Sequence, residues 1–324
     1  MNNDNTYKEL RGYLNDYKWM DYVTRMPPLI ITIAVNGGIQ GKELHPMLPE
    51  KAQEIAEETY KSYNAGASIV HIHPRNPKCL WDCTENPKDA YTVNKLVRKK
   101  CNEIIINNST GGGMYTTDKG RIKLLEAAPE LASLNMGPDM GRYTIPARSD
   151  KFKHPHEELF DDSCWAVTYG FIDTLVTRMN ALNIKPEMEL YHNGQYWVSR
   201  NLIANKMIEP PYYFQFVMGY QTGVFPTPQN LIEIIKGLPE NSVYSTIGIG
   251  KFQWVMTAMS IFLGGHVRVG LEDNLYLKKG IKLRDNAEAV ERIVSLAKYF
   301  GREIATPEQA RVILGLNKTP KEYK

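Results

Sequence analysis

His71-Ile72-His73 stands at the end of the apolar run Ala67-Ser68-Ile69-Val70. Alternate side chains of a strand share a face, so the two imidazoles point the same way. Two histidines on one face at the tip of a buried strand make half of a metal site. Far along the chain, His266-Val267-Arg268-Val269-Gly270-Leu271-Glu272-Asp273 places two carboxylates just past a second short apolar strand. If the two strand ends meet, His71, His73 and Glu272 supply the three protein ligands of a catalytic zinc site and leave a position open for substrate. Asp273 then points elsewhere, as a base or an orienter. The competing readings are two hydrogen-bonded core histidines and a solvated Glu-Asp pair.

Other residues gather around this pair of motifs. Arg268 lies inside an apolar strand, where a buried guanidinium needs an anion, either Asp273 or a substrate carboxylate held by two parallel hydrogen bonds. Glu187 and Glu189 alternate with Met188 and Leu190, so one face of that strand is acidic; a partly desolvated carboxylate there, Glu189 above all, suits proton transfer, and a structural ion pair is the alternative. Ser109-Thr110-Gly111-Gly112-Gly113 offers a hydroxyl and free backbone N–H groups to an anion or oxyanion. Gly248-Ile249-Gly250-Lys251 sits between a strand and a helix, where phosphate binds on a helix N-terminus. Asn108, Thr110, Gly111, Gly112, Asn135, Gly248 and Gly250 are the candidate substrate-binding residues. His154-Pro155-His156 repeats the H-x-H spacing but in a charged segment beside Glu157-Glu158, and reads as a surface loop. Cys79 and Cys83 are spaced C-x3-C with no second pair, which is a loose metal spacing.

The elements that must position these groups alternate along the chain. Strands are expected over Leu29–Val35, Ser68–His73, Glu103–Asn108, Leu131–Met136, Pro186–Tyr191, Tyr212–Met218, Ser242–Ile247 and His266–Val269. Helices are expected over Glu50–Asn64, Pro87–Lys100, Asp118–Ala127, Trp165–Leu182, Gln195–Asn205, Pro228–Lys236, Phe252–Leu263 and Asn286–Phe300, with a short one over Pro307–Leu314. Pro138–Asp162 reads as an irregular insertion. Eight strand-helix units whose strands are apolar on both faces predict an α/β fold, a (β/α)8 TIM barrel. An open doubly wound sheet fits less well, since Asn36-Gly37-Gly38-Ile39-Gln40-Gly41 lacks the dinucleotide-binding glycine spacing. Asn36, His71, His73, Asn108, Ser109, Thr110, Asn135, Glu187, Glu189, His192, Glu272 and Asp273 all fall at or beyond strand ends, where such barrels build active sites. Residues 1–28 are expected to form an N-terminal helical arm, 29–316 the barrel and 317–324 a polar C-terminal tail.

Composition narrows the partners. A chain of 324 residues that is 43% hydrophobic carries a sizeable core. A net charge of +3, with no basic block interleaved with aromatics, gives no reason to expect nucleic acid. Four cysteines in so long a chain read as ordinary thiols of a reducing cytoplasm. The polar first residues carry no secretory signal, and no apolar stretch is long enough to span a membrane.

Taken together, His71-Ile72-His73, Asn107-Asn108-Ser109-Thr110-Gly111-Gly112, Lys185-Pro186-Glu187-Met188-Glu189 and Gly264-Gly265-His266-Val267-Arg268-Val269-Gly270-Leu271-Glu272-Asp273 resemble the β-keto acid cleavage enzymes, over about Leu29 to Leu316. The resemblance implies a (β/α)8 barrel with one divalent metal, normally Zn2+, on His71, His73 and Glu272. It implies functional roles for Ser109, Glu189, Arg268 and Asp273, and a retro-Claisen exchange in which a β-keto acid and acetyl-CoA give acetoacetate and a new acyl-CoA. The substrate-binding residues above would then also serve CoA. It further implies a cytoplasmic homo-oligomer, a tetramer in this family. Better-known members carry an acidic residue near the end of the first strand, where this chain has Asn36-Gly37-Gly38-Ile39-Gln40; that departure bears on the substrate side chain. A metal-dependent amidohydrolase also uses H-x-H in a barrel, but on its first strand and with histidines from the fifth and sixth. A non-catalytic metal- or ligand-binding barrel is the remaining alternative.

Overall fold

Continuous burial of short β-branched runs drives the architecture. The structure, a computed structural model, describes residues 26–324; the helical arm expected over 1–28 lies almost wholly outside the described residues. Eight parallel strands close into a barrel: β1 (Ile31–Ala34), β2 (Ile69–Ile72), β3 (Ile105–Asn108), β4 (Leu131–Asn135), β5 (Lys185–Leu190), β6 (Tyr212–Met218), β7 (Ser242–Gly248) and β8 (His266–Val269). Each pairs with its neighbours in sequence, and β8 closes on β1, so that Thr32 stands opposite both Arg268 and Ile69. Every residue of β1 and β2 is buried, as expected when helices cover the outside and side chains fill the inside.

The covering helices are α1 (Ala52–Ala65), α2 (Pro87–Lys100), α3 (Asp118–Leu124), α4 (Tyr169–Ala181), α5 (Tyr196–Ala204), α6 (Pro228–Lys236), α7 (Gln253–Phe262) and α8 (Asn286–Tyr299), followed by α9 (Pro307–Leu314). Local chemistry sets their ends. Asn86 accepts from Lys88 N ahead of Pro87 in α2, and Thr306 and Gln309 form a capping box ahead of α9. One apolar shell packs β8, β1 and β2 against α1, α2 and α8, and another packs β4–β6 against α4–α6. Ile30, Ile69, Ile105, Leu131 and Tyr213 meet Ala310 and Leu314 of α9, which plugs the barrel floor. Residues 317–324, expected as a polar tail, dock instead of trailing away. Tyr323 is buried against Tyr91 with ring centroids 5.5 Å apart, and Lys321 N donates to Glu130 Oε1.

Two excursions at the C-terminal end of the barrel depart from expectation. The segment read as an irregular insertion forms an antiparallel ribbon, Asp139–Ile145 against Leu159–Trp165, with Asp139 opposite Trp165 and Ile145 opposite Leu159. The ribbon claims Trp165, so α4 starts later, at Tyr169, capped by Thr168. The ribbon stands out from the barrel with Met140 and Phe160 exposed, so its sequence never had to alternate apolar with polar. Its far end is fastened: Arg148 Nη1 bonds Glu43 Oε2 at 2.6 Å and Glu50 Oε1 at 2.7 Å, and all three side chains are buried. The second excursion pairs Arg75–Asn76 with Cys79–Cys83. His154 Nδ1 accepts from Leu80 N at 3.1 Å and the His156 ring meets Trp81 at 4.9 Å. The second H-x-H therefore joins the two excursions rather than lying free as a surface loop.

Candidate active site

The strands deliver the two motifs to one point. At the end of β8 the chain bends back over β1 at Gly270 (φ +139°), where a Cβ would lie 2.1 Å from Ala34 O, so only glycine fits. This bend brings Glu272 across β1 to the tip of β2. Its Oε1 lies 3.6 Å from His71 Nε2 and 3.3 Å from His73 Nε2, and its Oε2 accepts from Gly37 N at 3.0 Å. The ligand atoms of His71, His73 and Glu272 all fall within 4.8 Å of one another. Asn36 holds the second histidine through its backbone: its Nδ2 donates to His73 O and its Oδ1 accepts from His73 N.

Arg268 is the cationic hub. Its Nε and Nη2 donate to the two oxygens of Asp273 at 3.0 and 2.9 Å, its Nη2 also reaches Glu272 Oε1, and its Nη1 lies 3.4 Å from Glu189 Oε1. Burial and charge then separate the titrating groups. Burial works against ionisation of Glu272, yet Arg268 and the two imidazoles outweigh it and hold this carboxylate well below its usual range. Burial pushes Glu189 up to about 8 against the pull of Arg268, and Asp273 to about 6. Burial depresses His71, and Arg268 adds to the effect; on His73 burial is outweighed by Glu272 and Cys83, which lift it to about 10.

Most of the expected residues converge. His71, His73, Ser109, Gly111, Gly112, Asn135, Glu189, Arg268, Glu272 and Asp273 line one cavity of about 760 Å³ at the barrel mouth. Four others turn away. Asn108 exchanges two hydrogen bonds with Asn94 of α2, outside the strand ring. Thr110 spends its N–H and its hydroxyl on Ser133 of β4. A Cβ at Gly248 would meet Phe252 O at 2.5 Å, so this glycine packs against the next turn. Gly250 gives its N–H to Asp273 O at 2.7 Å, which removes it as a phosphate donor and makes it a brace for Asp273. Glu187 does not face the mouth as its alternation with Glu189 suggested. It is buried beneath His71, 4.0 Å from Nδ1, and is held by Asn107 and Gln215.

The cavity also has walls that the motifs did not announce: Arg121, Asp139, Tyr143, Trp165, Tyr191 and Tyr220. Most of these come from the ribbon or the loops around it. Their only signal in the sequence was the aromatic and charged content of a segment without periodicity.

Such a barrel carries two imidazoles, a carboxylate and a clamped Arg268–Asp273 ion pair at its C-terminal mouth. A family model for beta-keto acid cleavage enzymes matches residues 28–316. The 3-keto-5-aminohexanoate cleavage enzyme of Fusobacterium nucleatum is 37% identical over 293 residues, 90% of this chain and 100% of that protein. Its counterpart from Acetoanaerobium sticklandii is 35% identical over 294 residues, with the same coverage. The 3-oxoadipate:acetyl-CoA acetyltransferase of Cupriavidus necator is 30% identical, over 89% of this chain and 95% of that one. Among solved structures, ObcA in complex with oxaloacetate superposes with a TM-score of 0.67 at 20% identity, over 84% of this chain and 68% of that one, which shows a shared fold. The chain belongs to the beta-keto acid cleavage enzyme family and is an enzyme that cleaves a carbon–carbon bond. The amidohydrolase arrangement does not arise here. The histidine pair stands on the second strand, His192 is not among the lining residues, and β6 carries no histidine. Among the described residues no helix is long and apolar enough to cross a membrane.

Proposed function

We propose that this enzyme is a metal-dependent acyl exchanger: a β-keto acid and acetyl-CoA enter, and acetoacetate and a new acyl-CoA leave. The observation that carries the reading is the convergence of His71, His73 and Glu272 beside the Arg268–Asp273 pair. The donor set fits a divalent ion, Zn2+ by ligand type. His73 Nδ1 donates to Gly112 O at 3.0 Å, so Nε2, on the side of Glu272, is the nitrogen that would give up its proton to a metal. When bound, the ion acts as a Lewis acid on the β-keto carbonyl.

The chain's own groups do the rest. Arg268 keeps Asp273 ionised and aimed into the cavity, so that this carboxylate takes the proton whose loss makes the carbon next to the keto group nucleophilic. That carbon bonds the acetyl carbon of acetyl-CoA and expels CoA thiolate, and the thiolate adds to the original keto carbon. The bond between that carbon and its nucleophilic neighbour breaks to give the new acyl-CoA and the enolate of acetoacetate. Glu189, held back from ionisation by burial, returns the proton to that enolate. Ser109 Oγ accepts from Gly111 N at 3.1 Å, which leaves its own proton for the substrate carboxylate. Asn135, whose Oδ1 accepts from Tyr191 OH at 2.7 Å, presents its amide N–H groups beside it.

The working form is a homo-oligomer, a tetramer by resemblance. Exposed Trp197, Phe225 and Tyr299 give apolar surface for subunit contact. Four unpaired cysteines suit a reducing cytoplasm. The test is a panel of β-keto acids with isotopically labelled acetyl-CoA, following acyl-CoA products by mass, together with elemental analysis and His73→Ala. A labelled acetoacetate product that disappears with the metal supports the reading. Wild-type turnover and metal content in His73→Ala refute it.

A further inference from the structure

Arg121 takes no part in the chemistry above, yet it is only 7% exposed at the edge of the site. It stands on α3. Its Nη1 donates to Thr110 O at 2.9 Å and also to Gly111 O, and its Nη2 donates to Thr116 O at 3.3 Å. All three carbonyls belong to the loop that leaves β3, so one guanidinium closes that loop on itself. The guanidinium carbon lies 4.0 Å from the centroid of Trp165, the last residue of the ribbon. A planar fork that binds several acceptors and stacks on an aromatic face is a task for arginine and not for lysine.

The loop held in this way sets the carbonyl oxygen of Gly112, which is 3.0 Å from His73 Nδ1, nearer than Cys83 Sγ at 3.7 Å. There is little slack in its position. A Cβ at Gly38 would lie 1.9 Å from that oxygen, so the turn after β1 bounds the loop on one side. Gly112 itself is left-handed at φ +68°, and a Cβ there would meet Thr116 at 2.5 Å. Thr116 Oγ1 in turn accepts from Gly113 N at 2.8 Å. A carbonyl only accepts, so wherever Gly112 O stays in reach Nδ1 keeps its proton, and Nε2 is the nitrogen that yields to a metal.

We propose that Arg121, backed by Trp165, is a positioning residue for His73: it holds the β3 loop so that Gly112 O selects the tautomer with Nε2 free to bind a metal. The inference rests on the metal reading above and extends it to two cavity-wall residues outside the ligand set His71, His73 and Glu272.

The test loads the purified, metal-stripped protein with Co2+, whose visible bands report the ligand field. Affinity is measured by competition with a chromophoric chelator. Arg121→Lys keeps the charge but cannot bridge three carbonyls. It is expected to shift the Co2+ bands and to lower affinity about 10–100-fold, the usual cost of losing a partner of a ligating histidine. Trp165→Leu is expected to act in the same direction but less. Arg98→Lys is the control. Its guanidinium is 6% exposed and bonds Glu130 and the carbonyls of Cys101 and Asn102 at the opposite end of the barrel. It is expected to lower the urea midpoint and leave the Co2+ bands in place. Wild-type bands and affinity in Arg121→Lys overturn the inference, as does an equal shift in Arg98→Lys. If Arg121→Lys does not fold, Trp165→Leu decides on the same readouts, and wild-type values there overturn it. Wild-type protein that takes up no Co2+ sinks the metal reading itself, an outcome distinct from an unshifted variant.

Discussion

Replacing Arg268 with lysine is the sharpest perturbation of the site. Three carboxylates share this guanidinium: Asp273 at 2.9 and 3.0 Å, Glu189 at 3.4 Å, and Glu272. A lysine ammonium keeps the charge but cannot make the paired hydrogen bonds to Asp273 or span all three groups. At least two charge-assisted bonds are lost, each contributing about 1.5–3 kcal/mol. Taking the lower end for both gives about 3 kcal/mol, and at about 1.4 kcal/mol per tenfold this lowers kcat/KM by about 100-fold. Arg268→Met goes further by leaving the acids uncompensated, and costs about 3–5 kcal/mol of stability. Acyl-CoA formation under saturating acetyl-CoA gives the first quantity, and urea unfolding gives the second. Turnover of Arg268→Lys within about threefold of wild type would show that the clamp on Asp273 contributes nothing to the reaction, and the acid-base assignment would fall with it.

Other expectations follow from the same geometry. Glu189 binds its proton more tightly in the folded protein, at about 8 against an ordinary 4.5, so stability is lost as pH rises through that window. Glu189→Gln flattens this slope in pH-dependent urea titrations and removes an alkaline limb near 8 from the rate profile; an unchanged limb assigns it to another group. Zinc at about 100 times its dissociation constant adds about 2.7 kcal/mol to the stripped protein, and His73→Ala abolishes the response in thermal melts. Arg148→Met strands two buried carboxylates, Glu43 and Glu50, and lowers stability by about 3–5 kcal/mol in urea; a loss below about 1 kcal/mol would show that the fastening is solvated.

The eight strands were legible because each is a short apolar run bounded by turn signals, with helices between them, five of which open on an Asn, Thr or Asp cap. The triad was legible for a related reason. His71 and His73 share a strand face, and Glu272 follows a strand, so the barrel alone brings them together. Elsewhere the period-two argument gave less. It placed Glu187 and Glu189 on one face, but depth along that face decides their fate: Glu187 sinks into the barrel interior beneath His71, and Glu189 reaches the cavity. Asn108, Thr110, Gly248 and Gly250 lie at strand ends as expected, yet hydrogen bonds and close contacts with neighbouring elements claim them. The ribbon was illegible because a two-stranded excursion with exposed faces imposes no apolar alternation. Its wall residues, and Arg121 stacked on Trp165, depend on tertiary contacts that no local pattern encodes.

The Arg148 fastening makes the ribbon a door frame rather than a flap. With its far end bolted through Glu43 and Glu50 to the segment that follows β1, the passage to the cavity has its width set at folding. Ribbon residues such as Tyr143 and Trp165 line the cavity, so loosening the ribbon in Arg148→Met is expected to widen the range of acyl-CoA products it forms.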